Sequence, residues 1–239
     1  MKNQAQIVHV SKSKRQEILQ RSSSAVAHYQ PKIEQRVSRL AGIPIEIGDV
    51  EVKDMQELDR YLREEFLDST KKIPNPVKRF LAKNVVYPLV VFPASKARRN
   101  QAQNDFSAIY HNNGIYHSFE GGLPSDNQIP AIVIEELTHG LWENGLGGKS
   151  PFDVVNNPVF DMYYEGFSFF GVTKWFADFL PNDVRKESDT MSSSASAKYR
   201  LGRDRIERLV DLKGEQVLLE IPMNWESLHK ELLRSRRRQ

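Results

Sequence analysis

Residues 132–141 read IVIEELTHGL, which sets two carboxylates and an imidazole inside an apolar helical pattern. Ile132, Val133, Ile134, Leu137 and Leu141 recur at the spacing of a helix buried on most sides. Glu135, Glu136 and His139 interrupt that pattern. A carboxylate removed from water is costly unless it is paired, hydrogen-bonded or bound to a cation. A fold that buries this helix must therefore bring compensating groups to it from elsewhere in the chain. Residues i and i+4 share one helix face, so Glu135 and His139 point the same way, with Glu136 offset by about 100°.

Composition narrows the compensating groups. The chain has no cysteine, so neither disulfides nor thiolate ligands are available. At 239 residues, with 39% hydrophobic and 27% charged, it can build one sizeable core, and a single domain is expected over 1–239. No run of eighteen apolar residues exists, so no membrane partner is expected. The opening MKNQAQIVHVSKSKRQEILQ lacks the apolar segment of a secretory signal, and with the missing cysteines this points to a cytoplasmic protein. The net charge of +3 is local: Arg234, Arg236, Arg237 and Arg238 crowd the last six residues. No zinc-finger, aromatic RNA-binding or Gly-rich phosphate pattern accompanies them, so this reads as a solvated end and nucleic acid is not an expected partner.

The N-terminal region, about 1–83, reads as helical. One helix is predicted from residue 12 to about 29 with Ser11 as cap, and a second opened by Pro31 to about Leu40. IEIGDVEV (45–52) alternates like a strand. Asp54 caps a helix with Met55, Leu58, Leu62 and Phe66 on one face, and a short helix ends near Lys83. The middle region, about 84–180, holds a β-rich run at 84–92, then a hairpin at 106–122 turning at Asn112, Asn113 and Gly114. The site helix follows over 130–143, stopped by Gly145, Gly147 and Gly148. Residues 159–180 form a long aromatic helix. A Ser-rich mobile loop is predicted at 188–198, then C-terminal helices over 199–239, the last capped by Asn224.

A catalytic metal needs about three protein ligands and an open position. Glu135 and His139 supply two. Glu143 is at the next i+4 step, but about 12 Å of helix rise separates it from Glu135. Glu165 fits better: it is the only carboxylate between Asp161 and Asp178, in an aromatic helix 26 residues after His139.

These parts together resemble the zincin-type metallopeptidases, specifically the gluzincins, whose third ligand is a Glu on a following helix. The resemblance is carried by the hairpin Ile109–Tyr116, by Ile134-Glu135-Glu136-Leu137-Thr138-His139-Gly140, by Tyr164-Glu165-Gly166-Phe167 and by Tyr199-Arg200-Leu201-Gly202, and covers about residues 84–222. It implies an α+β, zincin-like fold: a small, mostly antiparallel sheet packed on helices, followed by a helical C-terminal part. It implies that His139 and Glu165 are metal ligands and that Glu136 is the general base on a metal-bound water. Glu135 stands where the family's His-Glu-x-x-His motif has its first His. The implied activity is hydrolysis of a peptide or protein substrate with a divalent metal, zinc foremost. The extra carboxylate shifts preference towards manganese or iron and slows hydrolysis at neutral pH. His117 and Tyr199 are the candidate oxyanion stabilisers.

Two other readings compete. One is a zincin-like protein without catalysis, acting as a binding or scaffold module. The other is a carboxylate-bridged di-metal helical protein, with Glu136-x-x-His139 matched by Glu226-x-x-His229.

Overall fold

A computed structural model describes residues 10–82, 84–85, 108–119, 123–151, 154, 157–185 and 197–236. The first helix, α1 (Lys12–Ala41), is capped by the Ser11 side chain and closed by Gly42 in the left-handed conformation. It does not split at Pro31. Ile18, Ser22, Val26, Tyr29, Ile33 and Val37 form one buried stripe along its full length, and burying that stripe outweighs the roughly 3 kcal/mol that an interior proline costs a helix. The expected strand at 45–52 shrinks to β1 (Glu51–Asp54), because Gly48 adopts a positive φ of 99° just before it. Helix α2 (Met55–Lys71) starts where the Asp54 carboxylate accepts from the Gln56 N–H at 3.0 Å. Met55 and Leu58 pack on Tyr116. A short α3 (Pro76–Leu81) follows. Of the predicted β-rich run, Asn84 and Val85 lie in a π-helical turn; residues 86–92 lie outside the described residues.

The hairpin is present as β2 (Ala108–His111) and β3 (Gly114–His117). Asn112 and Asn113 both have positive φ, 44° and 60°, as a two-residue turn matched to strand twist requires. The strand order is β1-β3-β2, with β2 antiparallel and β1 parallel to β3. The sheet is thus mixed instead of mostly antiparallel: β1 reaches β3 by a long crossover that contains α2, and crossovers deliver parallel strands. The class is α+β, with the small sheet beside a predominantly helical body.

Helix α4 (Gln128–Gly140) runs against α1 and β2 and leaves through a π-helical turn, Leu141–Gly145. Helix α5 (Pro158–Phe170), capped by Asn157, ends the same way in Gly171–Trp175, so the long helix expected over 159–180 is broken. A Cβ on Gly171 would meet the Thr138 side chain at 2.7 Å, which marks where α5 presses on α4. Helix α6 (Ala197–Lys213) begins two residues earlier than predicted, which moves Lys198 from the expected loop into a helix; residues 186–196 of that loop lie outside the described residues. Helix α7 (Val217–Arg236) bends at Asn224, whose φ of −119° is non-helical, at the expected start of the last helix. One hydrophobic cluster joins α1, the hairpin, α4, α5, α6 and α7.

The tightest approach lies between α5 and α6. A Cβ on Gly202 would overlap the Met162 carbonyl, and one on Gly166 would overlap the Gly202 backbone. No side chain fits between these helices, so the residues beside the crossing, Glu165 on α5 and the first turn of α6, are forced together. Gly202→Ala should separate the helices and lower the unfolding free energy by about 1–3 kcal/mol, the range for overpacking a core. Urea unfolding measures this; a midpoint equal to that of the parent would mean that the backbones are not in contact.

Candidate functional site

Glu135, Glu136 and His139 are all buried on α4. The glycine crossing delivers Glu165 to them, with its two oxygens pointing to different partners. Oε2 lies 3.7 Å from His139 Nε2, and Oε1 accepts from Lys198 Nζ at 3.1 Å. The Tyr199 side chain is hydrogen-bonded to Glu165 as well. The Lys198 ammonium stands 5.1 Å from the centre of the Tyr199 ring. Glu165 thus joins α4 to α6.

An aromatic shell holds the imidazole. His139 stacks on Tyr164 with ring centres 4.1 Å apart and planes 22° from parallel. The Tyr164 hydroxyl donates to Glu143 Oε1 at 2.7 Å. Glu143, one turn beyond His139, therefore anchors the stacked ring. Trp142 meets Tyr164, Phe160 and Phe167 edge-on around it. On the other side, the backbone N–H of Tyr110 in β2 donates to the Glu136 carboxylate, which ties the hairpin to the site helix. Glu136 Oε2 and His139 Nδ1 are buried and have no hydrogen-bond partner among the described residues.

Burial dominates the protonation of this group. It raises the Glu135 carboxyl to about 8, helped by the charge of Glu165 and opposed by Lys198. Burial, then the charges of Glu135 and Glu165, hold Glu136 well above the usual carboxylate range. Burial, with the Lys198 charge, depresses His139 to about 3. The imidazole is therefore neutral at physiological pH, the form in which it serves as a metal ligand. Burial also raises Tyr164 and Tyr199 well above the usual phenol value.

Two of these donors, His139 and Glu165, have the atom types and the separation of a pair of divalent-cation ligands. At 3.7 Å, His139 Nε2 and Glu165 Oε2 are too far apart to hydrogen-bond. Two tetrahedral zinc ligands at ~2.1 Å from the ion would stand about 3.4 Å apart. Glu135 is one helical turn before His139 on the same face. The two orphaned polar atoms beside the pair could accept or donate to a water or substrate. Among the described residues, no three His, Cys, Asp or Glu side chains converge as a ready-made metal cluster. His139 and Glu165 are the close pair, and Glu135 is tied to Glu165 by charge.

Of the two residues expected to stabilise an oxyanion, Tyr199 reaches the Glu165 carboxylate. His117 is buried at the end of β3, opposite Ala108, with its ring stacked on Phe119 at 6.3 Å. His229, needed by the di-metal reading, meets Arg205 Nη1 at 2.9 Å and the Tyr163 hydroxyl at 3.4 Å; a guanidinium at that nitrogen does not suit a metal ligand. Sequence reasoning missed Lys198 and Tyr164 as parts of the site, and set Glu143 aside as a ligand without seeing that it anchors Tyr164. Tyr164, directly before Glu165, had a local signal, an aromatic hydroxyl in an apolar helix; Lys198 had none. Comparison with known proteins returned nothing: no family model, no curated protein and no solved structure matches the chain.

The protonation pattern sets the pH dependence of the cation-free protein. Glu135 in the folded state titrates near 8, above its ordinary 4.5. The fold therefore holds an extra proton across that window, and stability present at low pH is lost as pH rises towards 8. His139 acts oppositely: its value near 3, below the ordinary 6.5, gives stability present above 6.5 and lost as pH falls towards 3. Above pH 6.5 only the carboxyl effect is left, so the thermal midpoint should drop between pH 6.5 and 8.5 in chelator. Glu135→Gln should reduce that drop. An equal drop in the variant would mean that Glu135 is ionised and compensated in the fold.

Proposed function

We propose that this protein is a metal-dependent hydrolase, peptidase-like and of zincin type, whose metal ligands are Glu135, His139 and Glu165 and whose general base is Glu136. The observation that carries this reading is the 3.7 Å approach of His139 Nε2 to Glu165 Oε2, between helices whose residues are 26 apart in sequence. A bound divalent cation would polarise a substrate carbonyl and acidify a water. Two carboxylates beside one imidazole suit zinc and extend the choice to manganese or iron.

The chain's own residues account for the proton traffic. The Tyr110 N–H fixes the Glu136 carboxylate in place. Its orphaned Oε2 is free to take a proton from water and return it to the leaving amine. A nearby dication would favour the ionised carboxylate that this role requires. Tyr199, whose hydroxyl is hydrogen-bonded to Glu165, can donate to the developing oxyanion once that carboxylate is taken by a metal and the hydroxyl proton is freed. Strand β2 is at the edge of the described sheet, where an extended peptide could pair with it. Among the described residues no helix is long and apolar enough to cross a membrane.

A second reading has its own support. Lys198 already contacts Glu165, and Glu135 replaces a neutral ligand by a charged one. Both features suit a zincin-like binding or scaffold protein without catalysis. Metal content and peptide cleavage separate the two. The hydrolase reading expects one zinc, manganese or iron per chain and its loss in His139→Ala. It expects Glu136→Gln to keep the ion and lower cleavage by at least about a hundredfold, as removal of a general base does. A full metal complement with no cleavage of any peptide library would favour the binding module, and an empty site in every metal would sink the hydrolase.

A further inference from the structure

The ammonium of Lys198 donates to one oxygen of Glu165 at 3.1 Å, while the other oxygen faces His139 at 3.7 Å. The same carboxylate is thus claimed by an internal cation and by the ligand pair. We propose that Lys198 is the resident counter-cation of this site, and that a divalent metal loads in direct competition with its ammonium. This inference rests on the metal-ligand roles proposed for Glu135, His139 and Glu165.

Formal charge supports it. Two neutral imidazoles and one carboxylate would give a ligand set of charge −1. With Glu135 in place of an imidazole, Glu135, His139 and Glu165 together reach −2. Lys198 contacts Glu165 alone among these three ligands, so the lysine is the counter-charge of that one carboxylate until a metal replaces it.

Geometry supports it as well. The Lys198 side chain is 33% exposed, whereas that of Glu165 is 21% and that of His139 7% exposed. The ammonium can therefore leave for water on its flexible four-carbon stem, with the Tyr199 ring as a resting surface. Its departure strands no buried positive charge, and a dication entering the group would take over its role. The first turn of α6 is held against Glu165 by the Gly166–Gly202 crossing, so the lysine's base cannot drift from the site. The arrangement makes Lys198 a positioning residue that sets the threshold for metal loading and keeps Glu165 paired until an ion arrives.

The test uses the full chain, stripped with chelator, as parent, Lys198→Met and Lys198→Arg. Zinc and manganese binding is followed by calorimetry, and cobalt binding by visible absorption. Lys198→Met should bind on the order of tenfold tighter or better, because a unit charge a few ångströms from the ion is removed; Lys198→Arg should stay near the parent. In chelator, Lys198→Met should melt below the parent, and saturating metal should close the gap. Equal or weaker metal binding by Lys198→Met, with the parent binding normally, overturns the competition and leaves the metal site standing. Failure of all three proteins to bind any of the ions overturns the metal site and the competition together. Should Lys198→Met prove unfolded, tighter binding by Lys198→Gln decides in its place.

Discussion

Two adjacent carboxylates on an apolar helix are the constraint around which this structure is arranged. Glu135 and Glu136 are buried together with His139, and isolated charges at such depth would carry a prohibitive desolvation cost. The fold answers with separate devices. Protonation is favoured at both carboxyls. A strand N–H binds Glu136, and a lysine projects its field onto Glu135 from the next helix but one. These devices come from β2 and α6, which lie far apart in the chain. The hairpin, α4, α5 and α6 are thus coupled through electrostatics as well as through the apolar core.

Backbone contact makes the coupling possible. The Gly166–Gly202 crossing brings α5 and α6 closer than any side-chain-bearing pair would allow. Glu165 and Lys198 meet because their neighbours have no side chains. The aromatic shell acts on the opposite flank. Tyr164 clamps the imidazole from one face and is itself restrained by Glu143, so among the described residues His139 is oriented by stacking and not by a hydrogen bond at its own Nδ1. Both helices that carry the proposed ligands leave through π-helical turns, a distortion concentrated at functional sites in proteins generally. In each turn the amide five residues on closes the ring, as Leu146 does to Leu141 and Phe176 to Gly171 at 2.8 Å.

Net charge within the group decides what it can hold. Two carboxylates and a neutral imidazole attract a dication strongly, and a third carboxylate beside them needs a proton or a cation of its own. The resident ammonium softens that demand.

Local pattern alone was sufficient for much of this. The caps at Ser11 and Asp54 and the positive-φ asparagine turn follow from single-residue preferences that any context would respect. The i, i+4 pairing of Glu135 with His139 and the isolation of Glu165 were readable for the same reason, since helical spacing is a property of the chain. What tertiary structure decided were the matters of competition and distance. Pro31 stays inside α1 because a buried stripe outweighs its local penalty. The sheet is mixed because β1 arrives by a crossover, and the long aromatic helix breaks where Gly171 meets Thr138. Lys198 belongs to the site only because two glycines let α5 and α6 touch; no periodicity encodes a contact made 33 residues away from its partner in sequence.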